Sequence, residues 1–135
     1  MAAITDAVRE FLQAKRFAVL ATISPDGTPH QTVMWYELRG DSIMMNTRVG
    51  RLKAAALRRD ARASVCIADG YTFVTVSGAV TLDDNQRTAQ SDIRALAIRY
   101  HGQEEGERQS REQFSAQQRV TINLPIQHLI AYGIG

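Results

Sequence analysis

The sequence predicts a mainly β fold, an antiparallel β-barrel that carries a few short helices. Six runs of apolar or alternating residues are long enough to form strands. Several connections between these runs are too short for the crossover helix that parallel neighbours require. Helical patterns occur only before or between groups of strands, as in β folds with helical additions. The 135 residues predict one domain, 1–135, with a substantial core.

The N-terminal part predicts a helix and a β-hairpin. Residues 4–15 place Ile4, Val8, Phe11 and Leu12 on one helical face. The apolar run 17–23 and a second strand over 30–38 flank the turn sequence SPDG. Neither face of strand 30–38 is cleanly polar. We therefore expect the core to cover one face and a ligand or a partner subunit to cover the other.

The middle of the chain predicts three more strands and a short helix. SIMMN, 42–46, is the third strand, and the helix over 51–59 follows the crossing 47–50. Residues 61–68 and 71–82 form two further strands around the turn Asp69-Gly70. Gly78 lies within the last of these, which indicates a bulge or the close approach of another group.

The C-terminal part predicts a helix, a polar surface segment and a closing strand. Asp83 is placed to cap the helix, with Gln86 in a capping box, and His101-Gly102 ends it. The polar segment 103–119 is predicted to be a loose surface helix or a loop. The closing strand spans 119–133, and Pro125 marks an edge, a bend or a bulge within it.

A basic stretch, 46–62, stands out from the rest of the chain. It contains one acid, Asp60, and six basic residues: Arg48, Arg51, Lys53, Arg58, Arg59 and Arg62. The first amides of a helix lack partners and attract anions, so a phosphate can bind where helix 51–59 begins. Arg51 and Lys53 at that end are unfavourable beside the helix dipole unless an anion is bound. The alternative is an ordinary solvated helix face.

The overall composition narrows the classes of function. The net charge is only +2, so the basicity is local and favours a defined anionic ligand over nucleic acid. The single cysteine, Cys66, permits no internal disulfide and is predicted to be a buried small hydrophobe. No signal peptide or long apolar segment is visible, which predicts a soluble, cytoplasmic protein. The spacing of His30, His101 and His128 predicts no metal site.

These patterns together resemble a known family. LATxxPDGxPHxxxxWY, GRLKAxxLRRDxRAS and DGYxxVxVxG are similar to motifs of flavin and deazaflavin oxidoreductases of the pyridoxamine 5′-phosphate oxidase type. The resemblance covers about 11–133 and is strongest to the F-420-dependent branch. Ala56 and Ala61 depart from it, because Asn and Pro are frequent there. The implied fold is the FMN-binding split barrel, with about six to seven antiparallel strands and short flanking helices.

The resemblance also implies a homodimer with cofactors at the subunit interface. Arg51 and Lys53 would bind the cofactor phosphate, helped by Thr47 and Asn46. The tricyclic ring would lie along the second strand, in contact with a set of residues that comprises Thr32, Val33, Met34 and Trp35. Trp35 could equally be a core residue. Tyr71 and Phe73 of the other subunit would line the substrate pocket.

The implied chemistry belongs to the cofactor, because the sequence contains no convincing nucleophile. Reduced F-420 would transfer hydride to a small conjugated substrate. Tyr71 and His128 are candidates for a proton donor, and Tyr36 is a further one. The alternative for His128 is a structural or interface role. The anionic tail of F-420 would suit Arg48, Arg58 and Arg59, which could also be solvated charges. The alternatives are an FMN-dependent enzyme and a non-catalytic protein that binds a flavin, F-420 or haem.

Overall fold

The computed structural model describes residues 4–134, and they form nine strands in two antiparallel sheets. The first sheet has the order β2-β1-β5-β6-β9, and the second has the order β3-β4-β8-β7. The strands are β1 (Ala18–Ile23), β2 (Pro29–Met34), β3 (Glu37–Arg39), β4 (Ser42–Arg48), β5 (Arg62–Asp69), β6 (Thr72–Ala79), β7 (Thr81–Asp83), β8 (Arg119–Pro125) and β9 (His128–Tyr132). This mainly β split-barrel architecture confirms the predicted fold class.

Four α-helices and one 3-10 helix flank the sheets. They are α1 (Asp6–Gln13), α2 (Leu52–Arg59), α3 (Gln86–His101), α4 (Gln103–Glu112) and the 3-10 helix Phe114–Ala116. The hydroxyl of Thr5 caps α1 by accepting a bond from the Val8 amide. The helix α3 packs against β4 and β8. It thereby covers one face of the second sheet.

The strand count differs from the prediction because three predicted strands each break and change sheets. Strand 30–38 divides into β2 and β3, strand 71–82 into β6 and β7, and strand 119–133 into β8 and β9. The corner residues Tyr36, Val80 and Ile126 are all buried. Their burial preserves the alternating pattern through each corner, so each pair of strands resembles one long strand in sequence.

The principal core lies between the two sheets. Its members are the inward residues of the strands, together with Val8, Leu12 and Leu57 from the first two helices. A second, smaller cluster fills the space between β4, α3 and the 3-10 helix. It contains Met44, Ile93, Leu96, Ala97, Tyr100 and Phe114, with Trp35 packed against it.

Several local predictions are confirmed. A Cβ at Gly78 would lie 2.7 Å from Oε1 of Gln127, which confirms the close approach predicted there. The chain bends after Pro125, and the predicted helix ends at His101-Gly102, where Gly102 has a φ of 91°. Residues 103–112 form a regular surface helix, the first of the two alternatives for that segment.

Two local predictions are wrong. Asn85, and not Asp83, caps α3, because the chain remains in β7 through Asp83 before it turns. The Asn85 side chain accepts a bond from the Thr88 amide. Cys66 is half-buried, since Ala63, Val65 and Ile67 take the inward positions of β5. The Cys66 side chain therefore faces outward from the first sheet.

Candidate cofactor-binding site

Four cations without acidic partners interact where β4 ends and α2 begins. Arg48 lies directly opposite Arg119 in the pairing of β4 with β8. Arg51 occupies the N-cap position of α2, and Lys53 lies in its first turn. Within residues 4–134, none of the four forms an ion pair with a carboxylate. Their charges are therefore available to an anion.

Arg119 is the buried member of this group, and neutral side chains hold it. Its Nε donates to Oδ1 of Asn46 at 3.0 Å, and its NH1 group donates to Oε1 of Gln117 at 2.7 Å. Its guanidinium also lies 5.0 Å from the ring centroid of Phe114. The residue is only 8% exposed. A buried arginine held without a counter-charge is costly, and a bound anion would remove that cost.

The electrostatics of the cluster show the same lack of compensation. Burial, together with the charges of Arg48 and Arg51, lowers the pKa of Arg119 to about 10. Burial also lowers the pKa of Lys53, and Arg51 and Arg119 add to that effect. Neighbouring positive charges thus disfavour the charged forms of Arg119 and Lys53. Such mutual repulsion is typical of a site that binds an anion.

The start of α2 adds backbone donors to the cluster. Arg51 has an extended backbone at the N-cap position, and no side chain caps the helix. The first amides of an uncapped helix need acceptors from outside the helix. An anion at this position would satisfy them and interact favourably with the helix dipole.

An open cavity of about 220 Å³ lies beside the buried arginine. Its apolar walls come from the end of β2, from α3 and from the 3-10 helix, and its polar lining comes from Asn46 and Arg119. Val33, Met34 and Trp35 contribute to the wall, and their contact with a cofactor ring stays a prediction. Trp35 also stacks on Tyr100 with ring centroids 5.3 Å apart, so it is a core residue as well.

The predicted anchor residues do not all face this cavity. Asn46 lines it, but Arg51, Lys53 and Thr47 do not. Thr47 follows Asn46 in a strand and so points to the opposite face of β4. Thr32 is half-buried on β2 and is not part of the cavity wall. Contacts from Thr47 and Thr32 to a cofactor stay predictions.

The predicted substrate residues lie elsewhere on the chain. Tyr71 is 91% exposed at the turn between β5 and β6. Phe73 stacks on Tyr132 with ring centroids 5.7 Å apart. His128 is exposed on β9, directly opposite Ser77. None of the three lines the cavity of its own chain. Within one chain, none of the three is part of the site around this cavity.

The remaining basic residues of the stretch are not equivalent. Arg58 forms an ion pair with Asp84, and Arg62 forms one with Asp60. Arg59 instead donates to the carbonyl of Ile23. The expectation that Arg58 could serve an anionic tail is therefore weakened, because Asp84 already compensates its charge. No carboxylate of residues 4–134 compensates the charge of Arg48 or Arg59 in this way.

Arg119 was not among the predicted site residues. In the sequence it begins an apolar strand after a long polar segment, far from the basic stretch. Only the register of β8 against β4 brings it opposite Arg48. The sequence signal was a single basic residue at the first position of a strand that carries no other charge.

A second, smaller cavity of about 140 Å³ lies between α2 and the β1–β2 hairpin. Thr22, Ala56 and Arg59 are among its lining residues. The Thr22 hydroxyl is buried and has no hydrogen-bond partner. Ala56 is the position at which the family resemblance leads us to expect Asn. The small side chain leaves this space open beside an unsatisfied polar group.

Two antiparallel sheets, between which the chain crosses at buried corners, define a split-barrel protein, and a cationic cluster lies beside its apolar cavity. The chain belongs to the pyridoxamine 5′-phosphate oxidase family, whose sequence profile matches residues 4–126. No curated protein matches it in sequence. Within residues 4–134, no helix is long and apolar enough to cross a membrane.

Solved structures share the fold over nearly the whole chain. A conserved hypothetical protein from Mycobacterium tuberculosis, Rv2991, is 27% identical over 96% of this chain and 85% of its own, with a TM-score of 0.82. An F420 reductase is 19% identical over 94% and 98%, with a TM-score of 0.76. The haem storage protein HutZ from Vibrio cholerae is 15% identical over 99% and 98%, with a TM-score of 0.73.

Proposed function

We propose that this protein is a cytoplasmic, homodimeric oxidoreductase that uses the deazaflavin coenzyme F-420. When bound, reduced F-420 would supply the hydride that reduces a small conjugated organic substrate. One observation carries the proposal: the buried, uncompensated Arg119 faces Arg48 beside an apolar cavity. A ring system with a phosphorylated tail matches both halves of this site.

The residues fit such a group by their chemistry. The guanidinium of Arg119, the ammonium of Lys53 and the open amides at the start of α2 are donors for a phosphate. Val33, Met34 and Trp35 provide apolar and aromatic surface for a flat ring. Val33 is 68% exposed, and burial against a ring or a partner subunit would remove that surface from water.

The charges beyond the anchor favour F-420 over FMN. F-420 carries an anionic tail after its phosphate, whereas FMN ends at the phosphate. Arg48 is exposed and Arg59 lines the cavity beside α2, and neither is paired with a carboxylate of residues 4–134. Both can attract a tail that carries carboxylates. FMN remains the alternative cofactor, because its ring and phosphate would make the same anchor contacts.

The exposed face of the first sheet supports a homodimer. Val33, Ile130 and Tyr132 are each more than 60% exposed, at 68%, 64% and 62%. They lie on the outward side of the sheet. The smaller side chains of Ser64, Cys66 and Thr75 occupy the middle of that face. A sheet face of this composition is suited to burial against a second copy. Such a dimer would bring Tyr71 and Phe73 toward the partner's cavity.

In this scheme the chain's own residues bind the cofactor, orient its ring and exclude water from it. The cations fix the phosphate, the apolar wall fixes the ring, and the partner's aromatic residues close the substrate side. Tyr71 is a candidate to donate a proton to the reduced substrate from its phenolic hydroxyl. His128 is the second candidate, because it also lies on the outward face of the first sheet.

Turnover distinguishes this enzyme from a non-catalytic cofactor-binding protein. The fold is compatible with both roles, since an F420 reductase and a haem storage protein share it. We expect the purified protein to oxidise reduced F-420 when supplied with an acceptor from a panel of quinones, tetrapyrroles and unsaturated lactones. The oxidation is followed by the absorbance of F-420. If the Lys53→Ala variant no longer changes this absorbance, turnover is assigned to this site. Tight F-420 binding without turnover on any acceptor would favour the binding-protein alternative.

A further inference from the structure

A buried series of hydrogen bonds connects Arg119 to a carboxylate on α3. The Arg119 Nε donates to Oδ1 of Asn46 at 3.0 Å, and Nδ2 of Asn46 donates to Oγ1 of Thr121 at 3.3 Å. The Thr121 hydroxyl donates to Oδ2 of Asp92 at 2.6 Å. The second oxygen of Asp92 accepts from Arg39 at 2.6 Å. Asn46, Thr121, Asp92 and Arg119 are all at least 92% buried.

The carboxylate fixes the direction of every bond in this series. An ionised Asp92 can only accept, so the Thr121 hydroxyl must donate to it. The oxygen of Thr121 is then free to accept from Nδ2 of Asn46, which also donates to the carbonyl of Ala89 at 2.9 Å. Both amide protons of Asn46 are thereby used. Its Oδ1 is left to face Arg119.

This arrangement differs from an ion pair in its effect on Arg119. A carboxylate in direct contact would cancel the charge of the guanidinium and compete with an anionic ligand. Two neutral side chains placed between them orient the guanidinium but leave its charge available. The three supporting residues lie on β4, β8 and α3, so the orientation depends on the packing of α3 over the second sheet.

We propose that Thr121 and Asp92 are positioning residues that act through Asn46 to hold Arg119 toward the cofactor phosphate. The inference rests on the proposed function, because it assumes a phosphorylated cofactor in the cavity. Neither residue lines the cavity, so neither contacts the ligand. Their contribution to binding therefore passes through Asn46, which lines the cavity, and in our proposal from Asn46 to Arg119.

A double-mutant cycle tests this dependence with F-420 and FMN as probes, each titrated by fluorescence. We expect Thr121→Val to weaken binding about threefold to tenfold in the wild-type chain, the range for one lost hydrogen bond. In the Arg119→Met background, the same substitution should change affinity less than about twofold. Thr121→Ser should restore binding. Thr81→Val, at an exposed position of β7, is the matched control and should leave affinity unchanged.

The outcomes separate this inference from the proposed function. Equal weakening by Thr121→Val in both backgrounds, or none in the wild-type chain, would overturn the positioning role even if Arg119→Met lowers affinity. A wild-type protein that binds neither probe would overturn the proposed function and this inference with it. Asp92→Asn is the second variant if Thr121→Val does not fold, and its loss of affinity should likewise depend on Arg119.

Discussion

Arg48 and Arg119 lie directly opposite each other on β4 and β8, and neither has a carboxylate partner within residues 4–134. Like charges at directly opposed positions of an antiparallel pair destabilise the sheet. Two other arginines of the basic stretch are compensated, in the pairs Arg58–Asp84 and Arg62–Asp60. The retained repulsion indicates a site that is completed by an anion.

Replacing Arg48 should increase stability and reduce cofactor affinity. Arg48→Gln removes the repulsion from Arg119, and we expect the free energy of unfolding to rise by about 0.2–1 kcal/mol in the absence of ligand. Thermal unfolding at low salt measures this change. Arg62→Gln is the control, because it breaks the ion pair with Asp60 and should not stabilise the protein. A destabilised Arg48→Gln would contradict the account.

Lys53 should make cofactor affinity depend on pH. Its pKa lies below the usual 10.5, and a bound phosphate favours the charged form. Binding therefore takes up a proton once the pH exceeds that lowered pKa, and we expect affinity to fall as the pH rises through it. Titrations in a pH series would show the fall. Lys53→Arg keeps the charge and should shift the fall to higher pH.

Removal of the Lys53 charge should weaken binding at neutral pH as well. We expect Lys53→Ala to cost about 1–3 kcal/mol of binding free energy, the range for a charge-assisted hydrogen bond. An unchanged dissociation constant in Lys53→Ala, measured beside Lys53→Arg, would remove this residue from the site.

The outward face of the first sheet should hold two copies together. We expect light scattering to give a dimer at micromolar concentration for the wild-type chain and a monomer for Ile130→Asp, because a buried unpaired carboxylate is costly. Thr81→Asp introduces the same charge at an exposed position of the second sheet and should leave the dimer intact. A wild-type monomer would contradict the shared site.

The cavity beneath α2 should accept a polar side chain. Ala56→Asn can give the unsatisfied Thr22 hydroxyl a partner, a gain of about 1–3 kcal/mol that outweighs a helix-propensity loss of about 0.7 kcal/mol. Thermal unfolding should therefore show a more stable protein. The same substitution in a Thr22→Val background should be destabilising. A gain of equal size in both backgrounds would show that the hydroxyl is not involved.

Sequence patterns predicted most elements of the fold but not the sheet to which each belongs. Alternation reports which side chains are buried, and the buried corner residues Tyr36, Val80 and Ile126 continue it without a break. The sequence pattern therefore gave no sign of the three strand breaks. Gly106 was also missed, since only the close packing of α4 on the backbone of Ile98 requires it.

Sequence patterns predicted only those parts of the candidate site that are continuous in sequence. The basic turn and the strand of Val33 to Trp35 are each continuous in sequence, and their composition indicated an anion and an apolar ligand. Arg119 and Asp92 come from other parts of the chain. They join the site only through the β4–β8 register and the packing of α3, which no local pattern specifies.

Comparative titration with F-420 and FMN tests the central claim most directly. Fluorescence titration of the purified protein gives a dissociation constant for each cofactor under the same buffer and salt. We predict that both bind and that F-420 binds more tightly, because Arg48 and Arg59 have no carboxylate partner within residues 4–134 and can attract its anionic tail. Tighter binding of FMN would contradict the assignment to F-420, and binding of neither would contradict the cofactor site itself.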